Sequence, residues 1–234
     1  HVGEEVVMAS VVGGRSEHED VMAAPRLARL RLGEKAGHCG VVGQDRRRGE
    51  AVRRKRVLAR VRLQRGEQLV RVGALVTLCD QDSLRQDIEG RILATGLRDD
   101  VHFVSGAIAE LPEQIPGSSF DLIFLRRGLC GMRYEEARQV VRRLLLELRI
   151  GGKLYVSILG LHSELGDRYP SADVRIEDRY SQLAPEMMRK YGIQGPVCLY
   201  SERNLFLLLL DAGASVLRTM TTTYGNVKGV AVRV

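Results

Sequence analysis

From Val72 to the end of the chain, short apolar runs alternate with segments of helical spacing. This alternation restricts the fold more than any other feature of the sequence. The first run, Ala74–Cys79, contains β-branched residues and ends at Asp80. Runs of the same kind follow at Val101–Val104, Phe120–Leu125 and Lys153–Leu159. Such runs are typical of strands that are buried on both faces of a parallel sheet.

Segments with helical spacing lie between and after these runs, at Ser83–Thr95, Tyr134–Leu148, Ala184–Tyr191 and Leu205–Leu210. Alternating strands and helices imply right-handed crossovers, with helices on both faces of a parallel sheet. The chain ends differently, because Ser215–Thr223 and Val227–Val234 are β-rich runs joined by a tight turn, which indicates a hairpin. The predicted fold class is therefore α/β: a Rossmann-like three-layer sandwich whose mostly parallel sheet ends in an antiparallel β-hairpin.

A long polar stretch separates the fourth apolar run from the last helix. It covers residues 160–200, contains three prolines and follows the carboxyl end of a predicted strand. Open α/β sheets bind ligands at the carboxyl ends of their strands, so an insertion of this length is placed to cover a ligand. Its tyrosines, which either line a substrate lid or pack in a core, are Tyr169, Tyr180, Tyr191 and Tyr200.

The net positive charge of the chain comes entirely from its first third. Residues 1–73 carry 16 Lys and Arg against 9 Asp and Glu, whereas residues 74–234 carry 20 of each. Such a segment is either a solvated stretch or a contact for nucleic acid. No Phe, Tyr or Trp precedes His102, so the segment lacks aromatic residues on which bases could stack. The sequence therefore does not favour nucleic acid as a partner, although the charge allows it.

Residues 1–56 show no sustained period beyond a short apolar run at Val6–Val12, and we assign them to a basic N-terminal extension that precedes a domain at 57–234.

The cysteines lie far apart without a CxxC pair, at Cys39, Cys79, Cys130 and Cys198. This argues against a zinc site and a disulfide framework, so we expect no metal and a reducing, cytoplasmic setting. No apolar run is long enough to predict a membrane span.

Five motifs follow one another in the second part of the chain. Asp80 closes the first apolar run, and VHFVSGAIAELP and FDLIFLRRGLC contain the next two runs with their loops. LLLELRIGGKLYVSIL contains a helix, a turn and the next run, and SERNLFLLLLDAGASVLRT contains the last helix and the run after it. In this order they resemble the acid at the end of the second strand, the third and fourth strands, the helix, turn and fifth strand, and the last helix and sixth strand of class I S-adenosylmethionine-dependent methyltransferases. The resemblance covers the chain from about residue 72 to its end.

The resemblance implies S-adenosylmethionine as the cofactor and assigns roles to residues at the strand ends. Asp80 would bind the ribose hydroxyls, because a carboxylate accepts two hydrogen bonds from a vicinal diol; the alternative is a strand end without a ligand. The other cofactor residues would be Gln81, Gly106, Ala107, Ile108 and Leu125, with 106–108 forming the adenine wall. The acceptor would be held by Arg126, Arg127, His162 and Glu164, of which the last two are also candidates for a general base.

One motif of the family is not found. Its first strand ends in an acid followed by Gly-x-Gly-x-Gly, and these glycines let the backbone approach the methionine part of the cofactor. About 20 residues before Asp80, the sequence instead reads RVLARVRLQRG at 56–66, in which Val57-Leu58 fits the strand. Arginines stand where glycines are expected, at Arg60, Arg62 and Arg65. Large side chains at these positions would leave little room for the cofactor, and their positive charge would repel its sulfonium.

These observations leave three functions open. The first is methyl transfer from S-adenosylmethionine to a small molecule held under the insertion, mainly by positioning. The second is a non-catalytic protein that keeps the fold and has lost cofactor binding. The third is an RNA-binding or RNA-modifying protein that uses the basic N-terminal segment.

The abrupt change of pattern near Gly66 generates a prediction about the gene. We hypothesise that the gene upstream of this point is translated in a different frame from the one that once encoded the family's first strand. One of the two alternative frames should then encode an acid followed by a Gly-x-Gly-like run. Sequencing the gene tests this, and the hypothesis is wrong if neither frame contains such a run.

Overall fold

The computed structural model describes residues 5–11, 66–71, 73–80, 82–108 and 120–234, and for residues 5–11 it gives the course of the backbone. In these ranges there are seven strands: β1 Glu5–Val11, β2 Ala74–Asp80, β3 Val101–Ser105, β4 Phe120–Arg126, β5 Leu148–Ile158, β6 Ala214–Thr221 and β7 Val227–Arg233. They form one sheet with the spatial order β3-β2-β1-β4-β5-β7-β6.

The helices of the same ranges are α1 at 66–70, α2 Arg85–Ala94, α3 Tyr134–Glu147, α4 Pro185–Tyr191 and α5 Glu202–Asp211. Short 3-10 turns lie at Asp82–Leu84 and Glu164–Gly166. Within the described part of the chain, each of these helices is too short or too polar to cross a membrane.

Five of the seven described strands run in one direction. β2 pairs in parallel with β3, β4 pairs in parallel with β5, and β7 is antiparallel to both β5 and β6. The predicted C-terminal hairpin is therefore confirmed. The central strand β1 is antiparallel to β2 and to β4. Its register places Val6 opposite Cys79 and Val11 opposite Ala74, so the amino end of β1 lies where β2 and β4 end.

Alternate side chains of the strands pack against helices on both faces of the sheet. On one face, α1 and α2 join residues of β2 and β3 in a cluster that includes Val76, Leu78, Ile88, Ile92 and Phe103. On the other face, α3 and α5 cover β4, β5 and β7 in a larger cluster that includes Ile123, Leu144, Leu154, Leu208 and Ala231. Helices on both faces of a mostly parallel sheet confirm the predicted three-layer α/β sandwich.

The sequence pattern of α3 explains how one of these layers forms. Its buried residues recur at helical spacing, at Tyr134, Ala137, Val140, Val141, Leu144 and Leu145. At its start, the Arg133 N–H donates to a Glu136 carboxylate oxygen at 3.0 Å, which satisfies a backbone donor outside the helical ladder. The helix ends at Glu147 because Leu148 is extended, with ψ 146°. β5 thus begins five residues before the predicted strand.

One region of the α2 face carries no helix among the described residues. Phe124 of β4 and Tyr155 of β5 stack there, with ring centroids 4.8 Å apart. They line a groove of about 310 Å³ together with residues of β6 and β7, among them Arg218, Met220, Lys228 and Val230. In the described part of the chain, helices on this face therefore pack over β2 and β3 and leave β4, β5 and β7 open.

Most of the predicted N-terminal extension lies outside the described residues, as do Val57-Leu58, which were expected to form the first strand. The predicted boundary between an extension at 1–56 and a domain at 57–234 therefore stays a prediction. One segment of the predicted extension is nevertheless part of the domain. Glu5–Val11 belongs to the sheet as its central strand. A short apolar run can take this place because pairing on both sides satisfies its backbone N–H and carbonyl groups.

The register of β1 predicts a specific cross-link. In a Val6→Cys variant, residue 6 lies opposite Cys79, and facing Cα atoms of antiparallel strands are about 4.5–5.5 Å apart, within disulfide range. Mild oxidation should join residues 6 and 79, as read by peptide mass spectrometry. Met8→Cys is the matched control, because residue 8 faces Thr77. A parallel β1 would bring residue 6 near the start of β2 instead, and absence of the 6–79 link would contradict the register.

Candidate cofactor and substrate site

Asp80 ends β2 at the carboxyl edge of the parallel strands. β3 lies beside it, with Cys79 opposite Val104 and Asp80 opposite Ser105. The Gly106 N–H donates to the Asp80 carbonyl oxygen at 3.1 Å and holds the two strand ends together. Only 6% of the Asp80 surface is exposed. A buried carboxylate is uncommon, and this edge is where open α/β sheets bind ligands, so the position suits the predicted ribose contact.

The residues after β3 are Gly106, Ala107 and Ile108, which are half-buried, exposed and buried respectively. Ile108 belongs to the same apolar cluster as Leu125 of β4. The structure thus brings the predicted adenine wall next to Asp80 and places Leu125 in the core. Gln81 lies outside the described residues. The roles assigned to all of these residues stay predictions.

Arg85 adds contacts at this edge that the family motifs do not indicate. Its guanidinium donates to Ser105 Oγ at 2.5 Å, to Asp82 at 2.9 Å and to Glu89 at 3.1 Å. It also lies 5.5 Å from the centre of the Phe103 ring. The only sequence signal for this arrangement is the i, i+3 and i+4 spacing of the ion pairs on α2. Arg85 ties the start of α2 to the end of β3 and so fixes the loop that follows β3.

Two arginines lie at the end of β4. Arg126 is in register with Glu5 of β1, and two strand spacings separate β4 from β2, about 10 Å. Arg127 has a φ of 59°, a left-handed conformation that few residues other than glycine adopt. Its N–H donates to the Ser157 carbonyl oxygen at 2.7 Å, which anchors the turn to β5. Strained residues of this kind cluster at functional sites, and Arg127 stays a candidate on the acceptor side.

The loop after β5 carries the other two acceptor-side candidates. His162 is exposed, and Glu164 accepts from the Tyr191 hydroxyl at 2.5 Å and forms an ion pair with Lys190. The hydrogen bonds from Lys190 and from Tyr191 lower the pKa of Glu164. A carboxylate that two donors hold in its charged form is a poor proton acceptor, so the geometry favours a binding role over general-base catalysis. The hydrogen bond to Glu164 and burial raise the pKa of Tyr191, while the positive charges of Lys190 and Arg127 act to lower it.

Close backbone packing fixes this loop against the hairpin turn. A Cβ atom on Gly160 would lie 1.7 Å from the Gly225 carbonyl oxygen, and a Cβ atom on Gly225 would lie 2.4 Å from the His162 carbonyl oxygen. Only glycine permits such an approach. The turn at residues 224–226 therefore seats the segment that carries His162 and Glu164.

The tyrosines of the 160–200 insertion mostly pack inside the domain. Tyr169 and Tyr200 are buried, and the Tyr169 hydroxyl donates to the Val197 carbonyl oxygen at 2.6 Å. Tyr180 is half-buried, and its hydroxyl donates to a backbone carbonyl in the loop after β4 at 2.7 Å. Tyr191 alone among the four is exposed and contacts an acceptor-side candidate. The sequence left open whether these tyrosines line a substrate lid or pack in a core, and Tyr169, Tyr180 and Tyr200 pack.

A buried arginine holds the insertion to the start of α5. Only 8% of the Arg179 surface is exposed. Its guanidinium donates at 2.7–3.2 Å to the carbonyl oxygens of Ser171, Val174 and Leu199 and to Asn204 Oδ1. Asn204 in turn belongs to the N-terminal cap of α5. The acceptor side is therefore a fixed part of the domain.

The amino end of the central strand β1 lies at this edge, whereas the family pattern requires the carboxyl end of that strand here. A forward first strand would end beside Asp80 and continue there into a glycine turn. In the structure, Glu5 at the amino end of β1 lies beside Arg126, and Val11 at the carboxyl end lies opposite Ala74. The described residues fit the adenosine part of the implied cofactor through a carboxylate, adjoining backbone and an apolar wall. For the methionine part β1 supplies no turn, and the arginines predicted to stand there lie outside the described residues.

Comparisons with known proteins bear on the fold. No protein-family model matches this sequence, and no curated protein sequence does. Among solved structures, an S-adenosylmethionine-dependent methyltransferase from Methanosarcina mazei matches with a TM-score of 0.50 and 20% identity, over 67% of this chain and 80% of that chain. The chain has the methyltransferase fold.

Longer O-methyltransferases also match this methyltransferase-fold chain. An O-methyltransferase family protein from Burkholderia thailandensis does so with a TM-score of 0.48 and 18% identity, over 67% of this chain and 43% of that chain. PigF, solved with SAH, has a TM-score of 0.48 and 15% identity, over 68% of this chain and 48% of its own. The chain thus spans less than half the length of these two proteins.

The contacts of Arg179 predict a large effect on stability. Arg179→Ala removes the donors to the carbonyl oxygens of Val174 and Leu199 and leaves that of Ser171 with the Val174 N–H alone, so we expect the free energy of unfolding to fall by about 3 kcal/mol. Chemical denaturation monitored by circular dichroism measures this. Arg175→Ala is the matched control, because the Arg175 side chain is 84% exposed and lies 3.6 Å from Glu177. Its effect should stay within about 0.5 kcal/mol, and equal effects of the two variants would contradict the assigned role of Arg179.

Proposed function

We propose that this chain binds S-adenosylmethionine at the carboxyl edge of its sheet and transfers the methyl group to a small-molecule acceptor. The observation that supports this most is the position of Asp80, a buried carboxylate at the end of β2 with the loop after β3 bonded to it. The order of motifs along the chain and the methyltransferase fold point in the same direction. The acceptor would lie under the 160–200 insertion.

In this proposal, bound S-adenosylmethionine supplies a methyl group on a sulfonium, and the chain contributes binding and positioning. Asp80 accepts hydrogen bonds from the two ribose hydroxyls. Gly106 and the exposed Ala107 face the adenine, with the buried Ile108 packed behind them. Arg85 holds the adenine wall in place through its bond to Ser105. The placement of two reactants can by itself supply much of the rate of a transfer reaction.

Three segments of the chain supply the acceptor side. Arg127 comes from the turn after β4, Glu164 from the loop after β5, and Lys190 and Tyr191 from α4. Glu164 already accepts from Lys190 and Tyr191, so its charge and that of Lys190 offset each other and the cation of Arg127 gives this side a net positive charge. This balance favours an acceptor whose reacting group is an anionic or strongly polarised oxygen. The chain would orient such a group and would not need to remove its proton.

A second candidate is a non-catalytic protein with the methyltransferase fold. The direction of β1 favours it, because the strand that should carry the glycine turn leads away from the ligand edge. The third function that the sequence left open, RNA binding by the basic segment, rests on residues outside the described ranges and stays a prediction.

Titration calorimetry with S-adenosylhomocysteine tests the proposed site. We expect the intact chain to bind this ligand and the Asp80→Asn variant to bind it about tenfold more weakly or worse. The reason is that hydrogen bonds to a charged group are worth about 1.5–3 kcal/mol, and 1.4 kcal/mol is tenfold in affinity. Asn keeps the size of Asp, and circular dichroism verifies that the variant is folded.

Asp99→Asn is the matched control. It makes the same change at an exposed residue between α2 and β3, on the opposite edge of the sheet. This variant should bind like the unaltered chain. The absence of any heat at millimolar ligand would refute the proposal and favour the non-catalytic candidate. Full affinity in Asp80→Asn would mean that the ligand binds elsewhere.

A further inference from the structure

We infer, on the basis of the proposed cofactor site, that this site recognises the adenosine half of its ligand and discriminates little among groups attached at the ribose 5′ position. The contacts available for adenosine come from β2 and β3, with Asp80 and residues 106–108 at adjoining strand ends. Among the described strands, the one beside these on the way to β4 is β1, whose end would face the remainder of the ligand.

In the described part of the chain, the direction of β1 takes the turn that follows it away from this edge. In a parallel α/β unit, the turn after the central strand and the helix that follows it point backbone N–H groups at the charged end of a bound nucleotide. β1 pairs antiparallel over its length, so its carboxyl end, Val11, lies opposite Ala74 at the start of β2. A turn that follows β1 therefore leaves from the edge opposite Asp80. The backbone that enters β1 at the ligand edge precedes a strand and not a helix.

The charged residues described at the end of β4 do not supply contacts to the methionine group in place of that turn. Arg126 and Arg127 follow β4, about two strand spacings from β2. These cations would attract the carboxylate of the methionine group, but they would repel its ammonium group and, in S-adenosylmethionine, the sulfonium. Attraction and repulsion oppose each other, so the methionine group gains little from this edge.

The expected effect can be stated as a ratio of affinities. A site that bonds the methionine carboxylate through charge-assisted hydrogen bonds gains about tenfold or more in affinity for each bond. A site that lacks them treats adenosine, 5′-methylthioadenosine, S-adenosylhomocysteine and S-adenosylmethionine alike. We expect the four dissociation constants to lie within about threefold of one another.

Titration calorimetry of the full chain with these four ligands, in one buffer, is the test. The result expected is four similar dissociation constants, all weakened by the same factor in Asp80→Asn and unchanged in Asp99→Asn. Binding of S-adenosylhomocysteine tenfold or more tighter than 5′-methylthioadenosine would overturn the inference, since the methionine group would then be recognised, while the proposed function would stand. Absence of binding by all four ligands would overturn both.

Discussion

The pairing of β1 with β2 and β4 joins two pairs of parallel strands into one sheet. Most buried side chains of β2 and β3 pack with α1 and α2, whereas those of β4, β5 and β7 pack mostly with α3 and α5. β1 pairs with β2 over six positions and with β4 over five. Without it, each half would end in a strand whose backbone N–H and carbonyl groups lack partners. The candidate site depends on this junction, because Asp80 belongs to one half and Arg127 and Glu164 to the other.

The junction requires a strand, but it does not require a particular direction. An antiparallel ladder satisfies the same backbone groups as a parallel one and is slightly more stable per residue. A short apolar run can therefore complete the sheet from either end. A ligand site is less tolerant, because it uses the groups at one end of a strand. In this chain the central strand serves the stability of the sheet, while the proposed contacts with adenosine fall to Asp80 and to the residues that follow β3.

The sequence predicted β2 to β7 because each of these elements shows its own apolar run, helical period or turn residues. The run at Val6–Val12 was visible, but its partners are set by residues far away in the chain, and no local pattern encodes strand direction. The same reason hid the bonds from Lys190 to Glu164 and from Arg179 to Asn204, which join residues more than 20 positions apart. Asp80 and residues 106–108 could be placed together because consecutive parallel strands end at one edge of a sheet.

The reversal of β1 also bears on the open face over Phe124 and Tyr155. A connection between two parallel strands must cross the sheet and normally covers one face with a helix. β1 and β2 are antiparallel, and the last residue of β1, Val11, lies directly opposite the first residue of β2, Ala74. Val11 and Ala74 thus lie at the same edge, so the direction of the two strands does not by itself require a crossing of the face of the sheet. The described part of the connection at residues 12–73, α1, packs beside β2, which agrees with a face that the described helices leave open over β4, β5 and β7. Among the described residues, one strand direction thus agrees with two features: the amino end of β1 lies at the ligand edge, and the helices leave β4, β5 and β7 uncovered on this face.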